Sequence, residues 1–181
     1  ELENAKRIIS GCSDLEDLRF PKFKKRLSGK RVITMTWLDG MSLSDWVKTN
    51  PSQRERNRIG QAMWNFYQFQ IHTLKFVHAD PHPGNFIVCP DGKLGVIDFG
   101  CIKELPLDFY QSYIKLLEYS REMESIEFKE TLIELGLYDP KAPLKERELI
   151  MSTFPEMFEL VGRPLMSDTF DFGNDEYFKE I

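Results

Sequence analysis

Two short apolar runs restrict this fold most: Phe86-Ile87-Val88-Cys89 and Leu94-Gly95-Val96-Ile97, joined by Pro90-Asp91-Gly92-Lys93. Such runs around an Asp-Gly pair read as a β-hairpin, because Gly accepts the positive φ that tight hairpin turns demand. Polar residues bracket the hairpin: Asn85 stands just before its first strand and Asp98 just after its second. Pairing the strands brings those two residues together. Upstream, Phe76-Val77-His78-Ala79-Asp80-Pro81-His82-Pro83-Gly84-Asn85 sets Asp80 among turn formers, five positions before Asn85.

Two carboxylates and an amide in that arrangement suit Mg²⁺, which takes hard oxygen ligands and accepts only one or two from protein. Asp98 supplies a charged carboxylate that bridges to phosphates, and Asn85 a neutral amide oxygen for a second ion. Asp80 accepts a proton from, or orients, an attacking hydroxyl or water. Phosphoryl transfer runs through a loose transition state, so positioning and charge neutralisation supply most of its catalysis. Protein kinases write these functions as H-R-D-x-x-x-x-N and D-F-G. Here the first motif reads His78-Ala79-Asp80-x-x-x-x-Asn85, with Ala79 in the Arg place, and the second reads Asp98-Phe99-Gly100. Asp171-Phe172-Gly173 has nothing at that spacing before it and reads as coincidence. His78 reads as a packed residue that buttresses the loop, and His82 as facing the transferred phosphate. A zinc- or iron-type cluster of His78, Asp80 and His82 is the competing reading, although the chain has only 3 histidines and Pro81 and Pro83 stiffen the loop.

A chain of 181 residues with 41% hydrophobic content can bury a real core. Its net charge of −5 argues against nucleic acid as a partner, because phosphate binding needs concentrated Lys and Arg. The one basic cluster, Lys22-Phe23-Lys24-Lys25-Arg26, reads as a solvated loop, with contact to anionic lipid as the alternative. Cys12, Cys89 and Cys101 form no Cys-x-x-Cys pair and suit reduced thiols in a cytoplasmic-type compartment; Cys101 reads as a small buried residue, with a modifiable thiol beside the nucleotide as the alternative. No apolar run is long enough to span a membrane, and no signal peptide is evident. The chain opens on Glu1 rather than Met, so Glu1 is not expected to be the native start.

Along the chain, residues 1–10 read as the end of a helix. Arg31 to Leu38 is β-rich and closed by Asp39-Gly40. Ser42 or Ser44 can cap a short helix through Lys48. The longest helical pattern runs from Gln53 to about Lys75, with Ile59, Met63, Phe66, Tyr67, Phe69 or Gln70, Ile71 and Leu74 on a nearly all-round apolar face. Pro106 starts a helix to about Arg121, with Phe109, Tyr110, Tyr113, Leu116 and Leu117 inward. Further helices span 125–135 and 144–160. The tail from Met166 is acidic and aromatic with little periodicity. The fold class is α+β and predominantly α-helical.

The segment 76–85 resembles the signature of the UbiB/AarF (ABC1-type) family of atypical, protein-kinase-like ATPases almost letter for letter. Val96-Ile97-Asp98-Phe99-Gly100 is similar to its metal motif, Arg31 to Gly40 to its hinge strand, and Glu1-Leu2-Glu3-Asn4-Ala5 to a segment of its small-lobe helix. The likeness covers about residues 1 to 120. It implies a protein-kinase-like large (C-terminal) lobe with a short β-hairpin carrying the metal site. Residues 1–40 would be the end of the small-lobe helix and the hinge strand, and 41–181 the helical large lobe as one structural unit. It implies ATP and Mg²⁺ as cofactors, Asn85 and Asp98 as metal ligands, and Asp80 with His82 as catalytic residues. Glu1 would pair with a nucleotide-binding Lys, and Thr36, Trp37, Leu38 and Asp39 would contact adenine.

Members of the family are linked to isoprenoid quinone biosynthesis or lipid homeostasis at membranes. The implied partners are therefore nucleotide and a quinone precursor or an anionic lipid membrane. The implied location is cytoplasmic or the matrix side of an organelle, peripheral to a membrane. The family's phosphate-binding loop, strand Lys and Lys-x-Gly-Gln segment would precede Glu1, so the segment alone is expected to bind nucleotide poorly and to be inactive. After Gly100 the chain enters Pro106 and a helix with no Ala-Pro-Glu, which argues against presentation of a peptide substrate. Two alternatives stand beside this reading: a small-molecule phosphotransferase of the aminoglycoside or choline kinase type, and a non-catalytic scaffold that binds nucleotide or lipid.

Overall fold

The computed structural model describes residues 1–119 and 125–180, apart from the side chains of Pro155 and Phe178. The chain is mostly helical with short strands, an α+β protein, and divides into two compact units, Glu1–Leu105 and Pro106–Ile181. All the strands found among the described residues lie in the first unit. Its elements are α1 (Leu2–Gly11), β1 (Leu18–Arg19), β2 (Met41–Ser42), α2 (Leu43–Lys48), α3 (Gln53–Phe69), β3 (Phe76–His78), β4 (Phe86–Val88), β5 (Leu94–Val96) and β6 (Ile102–Glu104).

The hairpin forms as its turn chemistry requires. β4 and β5 pair antiparallel, Phe86 opposite Val96 and Val88 opposite Leu94. Gly92 takes φ +74° in the turn. Gly95 is needed for space, since a Cβ there would lie 2.5 Å from Ile87 Cγ1. β1 joins β5 in parallel and β2 joins β4 antiparallel, giving the order β1-β5-β4-β2, while β3 and β6 form a separate antiparallel pair. Phe86, Val88, Leu94 and Val96 share one core with Ala5 and Ile8 of α1 and Ile59, Ala62 and Phe66 of α3. Each large side chain in it contributes on the order of 1.5–3 kcal/mol through burial.

Helix starts follow their caps. Ser42 accepts from Asp45 N–H at the start of α2, and Ser52 and Glu55 form a reciprocal capping box at the start of α3. The long helical pattern ends near Lys75 as its sequence suggests, but the last part is not α-helical. Gln70–Leu74 form a π turn, and Lys75 closes it with φ +57°. The strand expected over 31–38 is reduced to an isolated bridge, Phe23 to Met35, with flanking bonds between Lys24 N–H and Thr34 O and between Thr36 N–H and Lys22 O. The partner segment is short, ending at the 3₁₀ turn Lys25–Leu27, and Val32 and Trp37 remain exposed. β propensity without burial on either side does not extend a ladder.

The second unit contains α4 (Leu107–Tyr119), α5 (Ile126–Glu134), α6 (Leu144–Gly162) and α7 (Asp175–Glu180). The expected end of α4 at Arg121 lies outside the described residues. Leu116, Phe128 and Leu132 are its buried centre, with Phe158 set edge-on to Phe128 at 6.1 Å. Phe109, expected inward, is exposed because it belongs to the first turn of α4, ahead of the stripe that Leu116 buries. The tail is more ordered than its pattern implies. Asn174 Oδ1 accepts from the N–H groups of Glu176 and Tyr177, and Phe170 stacks edge-on to Tyr177 at 4.8 Å. Six residues of α7 are too few to reveal a helical period. No described helix is long and apolar enough to cross a membrane.

Candidate active site

β3 delivers the chain to the site through His78, which is 1% exposed. Its backbone N–H donates to Gln70 Oε1 at 2.8 Å, and its ring Nε2–H donates to the Asp98 carbonyl at 2.8 Å. That second bond fixes the tautomer, because a carbonyl can only accept. The ring lies among Phe66, Phe86 and Phe99, with centroids 6.1–6.5 Å away. One buried imidazole thus joins the segment before Asp80 to the segment containing Asp98. Beyond it, Ala79 N–H donates to the Cys101 carbonyl at 2.9 Å and aligns the start of the loop with the chain leaving Gly100.

The loop from Asp80 to Asn85 is held by its own polar groups. His82 Nδ1 accepts from Gly84 N–H at 3.0 Å, and the His82 carbonyl accepts from Asn85 N–H at 3.0 Å, closing the 3₁₀ turn Pro83–Asn85. Asn85 Nδ2 donates to Asp80 Oδ2 at 2.9 Å and to the Asp80 carbonyl at 3.1 Å. The Asn85 carbonyl accepts from Ile97 N–H at 3.1 Å, which fixes Asn85 beside the residue preceding Asp98. Asp98 Oδ1 accepts from Gly100 N–H at 2.7 Å. Among the described residues no hydrogen bond takes up Asn85 Oδ1 or Asp98 Oδ2, and neither Asp80 nor Asp98 enters an ion pair. The site therefore presents two uncompensated carboxylates and a hard amide oxygen, a donor set that fits Mg²⁺. The zinc- or iron-type cluster does not form: His78 is packed inward with Nε2 engaged, and His82 Nδ1 is used within the loop.

Among the described residues, those expected to contact nucleotide make no direct bond to this group. Glu1 is exposed before α1, and its carbonyl accepts from Ala5 N–H. Thr36 Oγ1 accepts from Lys22 N–H at 2.9 Å, Trp37 is 87% exposed, Leu38 is half-buried and Asp39 exposed. No hydrogen bond among the described residues joins these five to Asp80, Asn85 or Asp98. Just after residues 36–39, Met41 pairs with Val88 and Ser42 with Ile87 of β4. Cys101, expected to be buried, is exposed, because only backbone atoms of this residue are used in the pairing with Ala79.

Three further residues shape the site. Gln70 is fully buried and clamps the π turn to β3, its Nε2 donating to the Phe66 carbonyl at 2.8 Å and its Oε1 accepting from His78 N–H. A lone amide within an apolar helical stripe was the sequence signal for it. Asn4 Nδ2 donates to the Phe99 carbonyl at 3.4 Å, linking α1 to the Asp98 segment. Tyr67 buries a hydroxyl with no partner among the described residues; burial pushes its phenol up to about 12, and the negative charge of Asp80 adds to the shift.

The sequence of the ABC1 atypical kinase-like domain matches residues 1–131. The chain belongs to the ABC1 atypical kinase-like family. Two curated relatives illustrate how far this ABC1 chain extends. AarF domain-containing protein kinase 1 of Gallus gallus is 32% identical over 121 residues, covering 64% of this chain and 23% of that protein. ACTIVITY OF BC1 COMPLEX KINASE 3, chloroplastic, of Arabidopsis thaliana is 31% identical over 106 residues, covering 59% of this chain and 15% of that protein. The ABC1 chain thus spans less than a quarter of either relative's length. In fold it is similar to Rv3197 of Mycobacterium tuberculosis, solved as a complex with erythromycin, at a TM-score of 0.76 and 21% identity over 99% of this chain and 44% of that one.

Proposed function

We propose that this ABC1-family chain carries the metal-binding and catalytic side chains of an ATP-dependent atypical kinase or ATPase. The observation that supports this most is that Asn85 is bonded to Asp80 and fixed beside Ile97, the residue before Asp98. In this reading Asp98 and Asn85 hold Mg²⁺ through the oxygens left open by their own hydrogen bonds. Bound Mg²⁺ supplies neutralisation of charge on the phosphates. Asp80 accepts a proton from, or orients, the attacking hydroxyl or water, and Asn85 holds one of its oxygens so that the other is aimed. His82 keeps the loop closed through Nδ1 and offers Nε2–H to the transferred phosphate. Residues 1–40 supply the last small-lobe helix and the hinge, with Glu1 set to pair with a Lys and residues 36–39 set to meet adenine. Residues 41–181 supply the large lobe. The process served is isoprenoid quinone biosynthesis or lipid homeostasis, with a phenolic quinone precursor or an anionic membrane as partner and peripheral attachment on the cytoplasmic or matrix side.

Mg²⁺-dependent ADP release by the full-length protein, with and without phenols and anionic liposomes, tests this beside Asp80→Asn. Turnover should fall about 10²–10⁴-fold in the variant, the range for loss of a general base, while nucleotide affinity stays within about twofold. Affinity falling as steeply as turnover would remove Asp80 from the catalytic role.

A further inference from the structure

A cavity of about 680 Å³ opens at the turn end of the hairpin, the end opposite Asn85 and Asp98. Its size lies within the roughly 300–1,000 Å³ usual for small-molecule sites. Met41, Trp46, Ile59 and Val88 give it an apolar wall, with Glu55 and Arg58 from the first turns of α3 among its polar groups. Cys89 also lines it, and burial pushes that thiol up, so the wall there stays uncharged.

The charges around the cavity do not cancel evenly. Arg58 is paired with Asp17 at 3.1 Å, and its Nη1 donates to the Asp91 carbonyl at 3.4 Å. Asp91 is paired in turn with Arg19 at 2.8 Å. Glu55 differs from both. Its hydrogen bonds come from the N–H and hydroxyl of Ser52, which are neutral donors, and it has no ion-pair partner among the described residues. The cavity therefore combines an aromatic and aliphatic wall with one solvent-exposed carboxylate that has no ion-pair partner among the described residues. An indole and a carboxylate lining one cavity can together attract an organic cation, through the ring quadrupole and through charge-assisted hydrogen bonding.

We propose that this cavity binds a small organic amine: a flat apolar body against Trp46, Met41 and Ile59, with its ammonium group at Glu55. The cavity's lining includes none of Asp80, Asn85 and Asp98, which lie toward the other end of β4 and β5.

Calorimetric titration of the full-length protein with 2-naphthylmethylamine tests the proposal, with 2-naphthoate as the anion of matching shape. The amine should bind one to one and at least about tenfold more tightly than naphthoate, the scale of one hydrogen bond to a charged group. Glu55→Gln should weaken the amine by about tenfold, because Gln keeps the capping box of α3 while losing the charge. Trp46→Leu should also weaken it, and excess Mg–ADP should leave it unchanged. Equal affinity for naphthoate, unchanged affinity in folded Glu55→Gln, displacement by Mg–ADP, or no saturable binding would each overturn the assignment.

Discussion

In Glu1–Leu105 two buried polar side chains, Gln70 and His78, bond between elements: from the π turn to β3, and from β3 to the carbonyl of Asp98. In Pro106–Ile181 the hydroxyl of the buried Thr131 donates to the Glu127 carbonyl one turn back in its own helix, its one side-chain bond among the described residues. The buried centre of the second unit can be assembled from apolar stripes and rings, since this hydroxyl is satisfied within its own helix. Side-chain bonds between its helices, such as Ser112 to Glu134 and Tyr177 to the Leu160 carbonyl, are exposed or only half-buried. The first contains strands of two or three residues, too short to be held by ladders alone. Side-chain amide and imidazole groups replace the missing ladder bonds. Those same groups set the height of the loop that carries Asp80.

The largest expected effect is in the cores. Phe66→Ala and Phe128→Ala, each at a fully buried ring, should both lower unfolding free energy by about 3–5 kcal/mol in urea titrations. Only Phe66→Ala should also weaken nucleotide binding, because Phe66 packs on His78 and Tyr67. Equal loss of binding in folded Phe128→Ala would break the distinction between the units.

Next come the buried polar groups. Gln70→Leu strands the buried N–H of His78 and should cost about 1–3 kcal/mol, with a fall in turnover, whereas Thr131→Val should cost no more than about 1 kcal/mol and leave turnover alone. Urea midpoints and ADP release on the same samples would measure both.

Alkaline pH should act on the first unit. Burial pushes the Cys12 thiol up to about 12, so the folded state holds a proton that the unfolded chain releases near pH 9. The sign follows directly: this stabilisation is complete below pH 9 and is lost as pH rises from 9 toward 12. Unfolding free energy should fall by at most about 1.4 kcal/mol per pH unit from this group over that window, and Cys12→Ala should flatten the slope. An unchanged slope in Cys12→Ala would place the titrating group elsewhere. The smallest contrast is at the caps. Ser125→Ala should cost about 0.5–2 kcal/mol, and Ser52→Ala toward the upper part of that range because its capping box is reciprocal.

The hairpin and the helix starts were legible because they rest on local chemistry: an Asp-Gly turn between apolar runs, and Ser42, Ser52 and Ser125 as caps. The bond that sets Asn85 beside Ile97, one residue before Asp98, follows from that hairpin. The π turn was not legible, since widening a single turn barely alters a 3.6-residue pattern and only the placement of Gln70 hinted at it. Nor was the failure of 31–38 to form a full strand, because strand extension depends on a partner and not on the strand's own residues. The anchoring of Phe99 by Asn4 and the placement of Tyr67 near Asp80 are contacts across the chain that no local pattern encodes.

The most direct measurement is calorimetric titration of the full-length protein with ADP, with and without Mg²⁺, for the native chain and Asp98→Asn. A metal ligand at Asp98 predicts tight binding that requires Mg²⁺ in the native chain, and binding weakened at least about a hundredfold in the folded variant, the scale of about 2.7 kcal/mol. Mg²⁺-dependent binding of equal strength in both proteins would contradict the assignment of the metal site to the end of the hairpin.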